Sequence, residues 1–217
     1  MKIPLILSTA VWVQALPAVA VIARRNLSRP VLWIAGGAFI TVMGDLISLV
    51  VARETGNNHW VIYTVIPIAG CAYLLGLAEW QPSYIERLTV RLSVLPFAAA
   101  YFALVFLVED LTTFSKYSAP FYSLAILGAS LWTLLRRAFQ PMIIPLTRAD
   151  WFWVAFGLAL YGATTAASSP IGGILLAGHR LDLFELVWKL RAVCIDIAFL
   201  SVFAGMLLPA AEPRPAW

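Results

Sequence analysis

Seven long apolar stretches follow one another along this chain and limit what it can fold into. They occupy residues 3–23, 30–52, 60–79, 89–108, 119–135, 151–176 and 183–208. About 20 apolar residues are enough for an α-helix to cross the hydrocarbon core of a bilayer. The chain is 62% hydrophobic and only 12% charged, far from the composition of soluble domains. We therefore expect an all-α integral membrane protein in which residues 1–217 form a single domain of seven transmembrane helices.

The distribution of Lys and Arg between the connections predicts the orientation. With the N-terminus outside, the cytoplasmic side carries nine basic residues: Arg24, Arg25, Arg29, Arg87, Arg91, Arg136, Arg137, Arg148 and Arg214. The outer side carries four: Lys2, Arg53, Lys116 and Arg180. Because cytoplasmic connections are enriched in Lys and Arg, we predict an external N-terminus and a cytoplasmic C-terminus in a bacterial inner membrane. The net charge of +4 reflects these flanking residues and gives no reason to expect a nucleic-acid partner.

The last apolar stretch is unusual because Asp182 to Asp196 places five charges in it. At 100° per residue, Asp182, Glu185, Lys189 and Asp196 fall within an arc of about 60°, whereas Arg191 points to the opposite side. A charge at the bilayer centre costs roughly 2.5–3.5 kcal/mol on insertion scales, so such residues usually face the interior of a bundle. We expect the face with three acids and Lys189 to turn inward.

Two other predicted helices carry polar side chains at a comparable depth, roughly 10 Å below the outer boundary. The second has a stripe formed by Thr41, Asp45 and Ser48. The sixth ends in YGATTAASSPIGG, where small residues permit close helix contact and hydroxyls can bond across it. Pro170, Gly172 and Gly173 either break this helix, as in many transporters, or only kink it.

These observations predict a polar cluster between the second, sixth and seventh helices, with Asp45 paired to Lys189 or, as the alternative, to Arg191. Its members are Thr41, Asp45, Ser48, Thr165, Ser168, Ser169, Glu185, Lys189, Arg191 and Asp196. The competing interpretation is a set of ion pairs and hydroxyl contacts that only hold the helices together.

Motifs for enzyme chemistry are absent from the sequence. His59 and His179 lack the spacing of a metal site such as HExxH, and neither GxSxG nor a phosphate-binding GxxxxGK[ST] occurs. We expect no metal, no cofactor and no catalytic residue. A lysine in the seventh helix invites comparison with retinal-binding rhodopsins, but YTVIPIAGCAYLL in the third stretch has no acid to balance a protonated Schiff base. We therefore expect no covalent retinal at Lys189.

The sequence favours a non-enzymatic protein that binds a small or lipid-like ligand, or a partner membrane protein, and acts as a sensor or accessory subunit. The main alternative is a proton- or substrate-coupled transporter that uses Asp45, Lys189 and Asp196. A lipid-modifying enzyme with Asp45 and Asp196 as acid and base is a third interpretation. The expected partners are the lipid bilayer and either a small apolar ligand or a membrane protein.

Overall fold

The structure, a computed structural model, describes residues 5–23, 27–112, 115–141 and 144–209, with side chains of the first segment described from Thr9 to Ile22. Within these ranges it is all helical. The elements are α1 (Leu5–Ala23), α2 (Arg29–Thr55), α3 (His59–Glu79), α4 (Tyr84–Leu107), α5 (Ser118–Ala138), α6 (Asp150–Ala177) and α7 (Leu181–Leu207), with a 3₁₀ turn at Leu146–Arg148 before α6. Of the basic residues used for orientation, Lys2, Arg24, Arg25 and Arg214 lie outside the described ranges.

Five of these helices, α2, α3, α4, α5 and α7, are long and apolar enough to cross a membrane. This confirms the prediction of an all-helical chain with the features of a membrane protein. The α6 helix spans 28 residues, and its second half contains several hydroxyl side chains and glycines.

Two helix ends differ from the predicted bounds for reasons that are visible in local contacts. The α4 helix begins at Tyr84, five residues before the predicted start, because Ser83 and Glu86 form a capping box. The Ser83 hydroxyl accepts a hydrogen bond from the Glu86 amide at 3.2 Å, and the Glu86 carboxylate accepts one from the Ser83 amide at 3.3 Å. The α2 helix continues to Thr55 and ends at Gly56, whose φ of 73° favours glycine.

The helices form a closed ring of six with one helix outside it. Around the ring, α1 packs against α2, α2 against α3, α3 against α5, α5 against α6, α6 against α7 and α7 against α1. Among the described residues, α4 packs mainly against α3 and α5, and it buries a stripe formed by Phe97, Tyr101 and Val105. Because α4 lies outside, the six remaining helices surround the interior of the bundle.

Glycines in α6 allow its neighbours to approach closely. A methyl group at Gly162 would lie 2.8 Å from the Ser123 carbonyl oxygen and 2.9 Å from the Leu127 amide nitrogen, both on the α5 backbone. One at Gly157 would lie 2.8 Å from the Val202 side chain of α7. The sequence prediction that Gly162 permits close helix contact is thus confirmed.

Polar side chains join α3, α4 and α5 at the end of the bundle that carries the α3–α4 connection. The Gln81 amide donates to the Thr133 hydroxyl at 2.8 Å, and the Arg137 guanidinium donates to the Trp80 carbonyl at 2.6 Å. Arg91 of α4 pairs with Glu79 of α3, and Arg136 of α5 pairs with Glu86 of α4. These contacts close this end of the structure, whereas the interior nearer the α2–α3 connection contains a cavity.

Candidate functional site

A cavity of about 370 Å³ lies inside the ring of six helices. We call it the central cavity. All six ring helices contribute to its wall and α4 does not. The polar and aromatic side chains that line it are Gln14, Thr41, Asp45, His59, Tyr63, Ser115, Tyr122, Tyr161, Thr165, Ser169, Trp188 and Arg191.

Asp45 and Arg191 are the charged residues of this wall, and they lie at the same depth. Asp45 is ten residues before the end of α2 at Thr55, and Arg191 is ten residues after the start of α7 at Leu181. At 1.5 Å per residue, each is about 15 Å from the end of the bundle that carries the α2–α3 connection. The two charges interact electrostatically. Within the described ranges, no hydrogen bond and no ion pair within 4.0 Å joins them.

Arg191 is held by an aromatic ring rather than by an acid. Its guanidinium carbon lies 4.8 Å from the centroid of the Trp188 ring, an arrangement that favours a cation. Trp188 in turn stacks on Phe184 and fits against Gly172 of α6, where a methyl group would lie 2.7 Å from the indole. The Arg191 Nε atom is buried without a hydrogen-bond partner in the part of the chain that the structure describes. The guanidinium therefore has donor capacity that the protein leaves unused.

Hydroxyl groups of α6 line the wall beside Arg191. Tyr161, Thr165 and Ser169 follow one another at intervals of four residues, so they lie on one face of the helix. The Thr165 hydroxyl is buried and has no partner among the described residues. On the α2 side, the Thr41 hydroxyl donates to the Gly37 carbonyl at 2.9 Å and lies 3.3 Å from the Tyr73 hydroxyl.

Two tyrosines, Tyr122 of α5 and Tyr161 of α6, line the central cavity, and Tyr73 of α3 packs against Tyr161. The rings of Tyr73 and Tyr161 are 6.5 Å apart and those of Tyr122 and Tyr161 are 6.3 Å apart, both edge to face. The Tyr122 hydroxyl donates to the Tyr161 hydroxyl at 3.5 Å, and the Tyr161 ring packs on Phe199 of α7 at 5.4 Å. Edge-to-face contacts add to the packing energy of large rings, so these side chains stabilise the contacts among α3, α5, α6 and α7 next to the cavity.

The structure brings together half of the predicted cluster. Thr41, Asp45, Thr165, Ser169 and Arg191 line the central cavity. Ser48 is buried but accepts a hydrogen bond from Asn58 in the α2–α3 connection, and Ser168 is buried away from the cavity wall. Asp196 accepts a hydrogen bond from Thr9 of α1 at 3.4 Å.

The expectation that the acidic face of α7 turns inward is wrong for Asp182, Glu185 and Lys189. The Asp182 side chain is 71% exposed, and Lys189 lies 2.7 Å from Glu185 in an ion pair at the surface. These residues lie in the first turns of α7, from which long charged side chains can reach the headgroup region. The pairing of Asp45 with Lys189 is therefore replaced by a cavity that Asp45 shares with Arg191.

Sequence reasoning missed the aromatic part of the wall, although a helical pattern was present. Tyr161 precedes Thr165 by four residues, and Trp188 precedes Arg191 by three. On α7, Arg191 lies on the same side as the buried stripe Ile195, Ala198 and Val202. The charges of α7 therefore did not indicate its inward face, which the structure shows through this buried stripe.

The wall is suited to binding by charge and hydrogen bonds. It offers one carboxylate, one guanidinium, several hydroxyls and four aromatic rings. Within the described ranges, no three His, Cys, Asp or Glu side chains are grouped as they would be in a metal site.

Lys189 lies outside the central cavity, so a covalent retinal adduct is not expected. Incubating the purified protein with all-trans retinal should give no visible absorption band that survives washing. The comparison is Lys189→Ala, which should behave identically. A visible absorption band that survives washing in the wild-type protein and is absent in Lys189→Ala would show that retinal binds covalently to this lysine.

Comparison with known proteins finds no match: no family model, curated protein or solved structure matches this chain. A functional conclusion therefore depends on the chemistry of the central cavity.

Proposed function

We propose that this chain is a non-enzymatic integral membrane protein that binds a small ligand in the central cavity and acts as a sensor or accessory subunit. One observation carries the proposal: six helices enclose a cavity of about 370 Å³ that contains an acid and a guanidinium without a hydrogen bond or ion pair in the described residues. This volume falls in the range of small-molecule sites, which are mostly apolar with a few convergent polar groups.

The buried charges support binding rather than a purely structural role. A structural ion pair is stabilising only when its two members are close and well hydrogen-bonded, because removing them from water is costly. Asp45 and Arg191 face a common space without such contact. A ligand that contacts both would supply the missing interactions.

The transporter alternative has less support from the shape of α6. That interpretation drew on a helix broken at Pro170, but α6 continues through Pro170 to Ala177. In addition, Lys189 and Asp196, two of its three proposed coupling residues, do not line the cavity.

We further propose that all seven helices cross the bilayer as one domain, with the N-terminus outside and the C-terminus in the cytoplasm. In this orientation the α2–α3, α4–α5 and α6–α7 connections lie outside. The ion pairs of Arg91 with Glu79 and of Arg136 with Glu86, which join α3, α4 and α5, then lie on the cytoplasmic side, where basic residues are favoured.

A reporter that is active only in the periplasm tests this orientation in a bacterial host. Fusions after Gly56 or Ser115 should be active, and a fusion after Arg137 should be inactive. The reverse pattern would place the cavity on the cytoplasmic half and overturn the orientation.

Native mass spectrometry of protein solubilised in dodecyl maltoside tests ligand binding. A retained molecule of defined mass is expected in the wild-type protein and in Lys189→Met, because Lys189 lies outside the cavity. The molecule should be lost in Arg191→Met. A mass equal to that of the bare chain in every preparation, with no stabilisation by any added small molecule, would overturn the proposal; a stoichiometric second protein would favour a subunit role.

A further inference from the structure

We infer that the ligand of the central cavity is a small zwitterion whose ammonium group is bound by Asp45 and whose anionic group is bound by Arg191. This inference rests on the proposed function and names its ligand class. The observation behind it is the placement of one acid and one guanidinium at equal depth on two different helices, α2 and α7, around a shared space.

Arg191 and the hydroxyls of α6 form the side of the cavity that suits an anion. Arg191 keeps a buried Nε donor without a protein partner, and Thr165 keeps a buried hydroxyl without one in the described part of the chain. Ser169 lies one turn further along the same face of α6. A guanidinium is the side chain best matched to a carboxylate or phosphate, because its donors form a planar fork.

Asp45 and the aromatic rings form the side that suits an ammonium group. Asp45 offers carboxylate acceptors to the cavity, and no donor from the described residues uses them. Tyr63 of α3, the helix that packs against α2, also lines the space. Aromatic faces attract alkylammonium groups, most strongly when water is excluded.

A ligand with both charges fits this wall better than a ligand with one. A cation alone would neutralise Asp45 but leave Arg191 without an anion, and an anion alone would leave Asp45 without a cation. Uncompensated charge in a low-dielectric site is unfavourable. A zwitterion contacts both groups and leaves the net charge of the site unchanged.

Amino acids and phosphocholine headgroups share this chemistry, so the test includes both sources. The readout is the melting temperature of the full chain in dodecyl maltoside. The zwitterionic probes are leucine, glycerophosphocholine and dioleoylphosphatidylcholine. Leucinol and choline serve as probes with only the cation, and 4-methylpentanoate and glycerol 3-phosphate as probes with only the anion.

At least one zwitterion is expected to raise the melting temperature by roughly 5 °C at a concentration 100 times its Kd. The corresponding single-charge probes should give no shift at that concentration. Asp45→Asn and Arg191→Met should each abolish the shift, whereas the matched variants Asp182→Asn and Lys189→Met should retain it, because their side chains lie outside the cavity. A shift with free probes identifies a soluble ligand, and a shift with the phospholipid alone identifies a lipid headgroup.

The inference is overturned if no zwitterion shifts the melting temperature, or if a single-charge probe shifts it as much as the matching zwitterion. It is also overturned if both cavity variants keep the shift. A neutral or singly charged molecule found by native mass spectrometry would contradict the zwitterion and leave the proposed function standing. Absence of any bound or stabilising molecule would contradict both.

Discussion

Asp45→Asn and Arg191→Met are each expected to lower the stability of the ligand-free protein by about 1–3 kcal/mol, and the double variant by clearly less than the sum. The reason is electrostatic. Each single change leaves one charge in the interior of the bundle without the opposite charge that interacts with it. Removing both charges also removes that penalty.

The measurement is a double-mutant cycle on melting or denaturant unfolding in detergent. Residues that share an interaction in this way typically show a coupling energy of 0.5–3 kcal/mol, and we expect about 1–3 kcal/mol here. Lys189→Met is the matched control, because it removes a cation from the same helix that is paired with Glu185 at the surface. Its effect should add to that of Asp45→Asn. Additivity of Arg191→Met with Asp45→Asn would show that the two cavity charges are independent.

Gly162→Ala is expected to destabilise the protein by about 1–3 kcal/mol through overpacking between α5 and α6. The added methyl group would meet the Ser123 carbonyl oxygen at 2.8 Å and the Leu127 amide nitrogen at 2.9 Å. Both are backbone atoms, so a side-chain rotation cannot relieve the contact and the two helices must separate. Tyr122 of α5 and Tyr161 of α6 are in contact across this same pair of helices and line the cavity. Separation of the two helices should therefore also widen the cavity beside these rings.

Gly128→Ala provides the control for Gly162→Ala. Gly128 lies in α5, and a methyl group there would meet no atom within 4 Å. Alanine is a better helix former than glycine, so this change should be neutral or raise stability by up to about 1 kcal/mol. Thermal unfolding of both variants in one detergent checks the pair. Equal stability of the two variants would mean that the α5–α6 contact is not close.

The positions of the helices were largely predictable because each apolar stretch is a local property of the sequence. Of the six predicted starts that fall on described residues, five agree with the structure within two residues, the exception being α4, and the predicted start at residue 3 lies outside the described residues. The local sequence also contains the signal for this earlier start, since Ser83 and Glu86 have the spacing of a capping box. Polar residues in the first turn of α4 hid the signal from a count of hydrophobic residues. The apolar stretches also include five described helices that are long and apolar enough to cross a membrane.

The residues of the site depended on helix rotation, which the sequence of α7 does not determine. Apolar side chains surround this helix on all sides, so hydrophobicity alone gives it no inward face. Close contacts with α6 determine which face of α7 turns inward. A methyl group at Gly157 of α6 would meet Val202 of α7, and Gly205 of α7 lies against Val154 of α6. That choice turns Arg191 toward the cavity and leaves Lys189 at the surface with Glu185.

The sequence by itself therefore determined that the chain is helical, apolar enough for a membrane and charged within its last helix. The tertiary structure alone decided that α4 lies outside the ring and that Asp45 and Arg191 line one cavity. The physical reason is the range of the forces involved. Helix formation and membrane partitioning depend on about 20 consecutive residues, whereas the rotation of each helix depends on small residues in other helices far away in the chain.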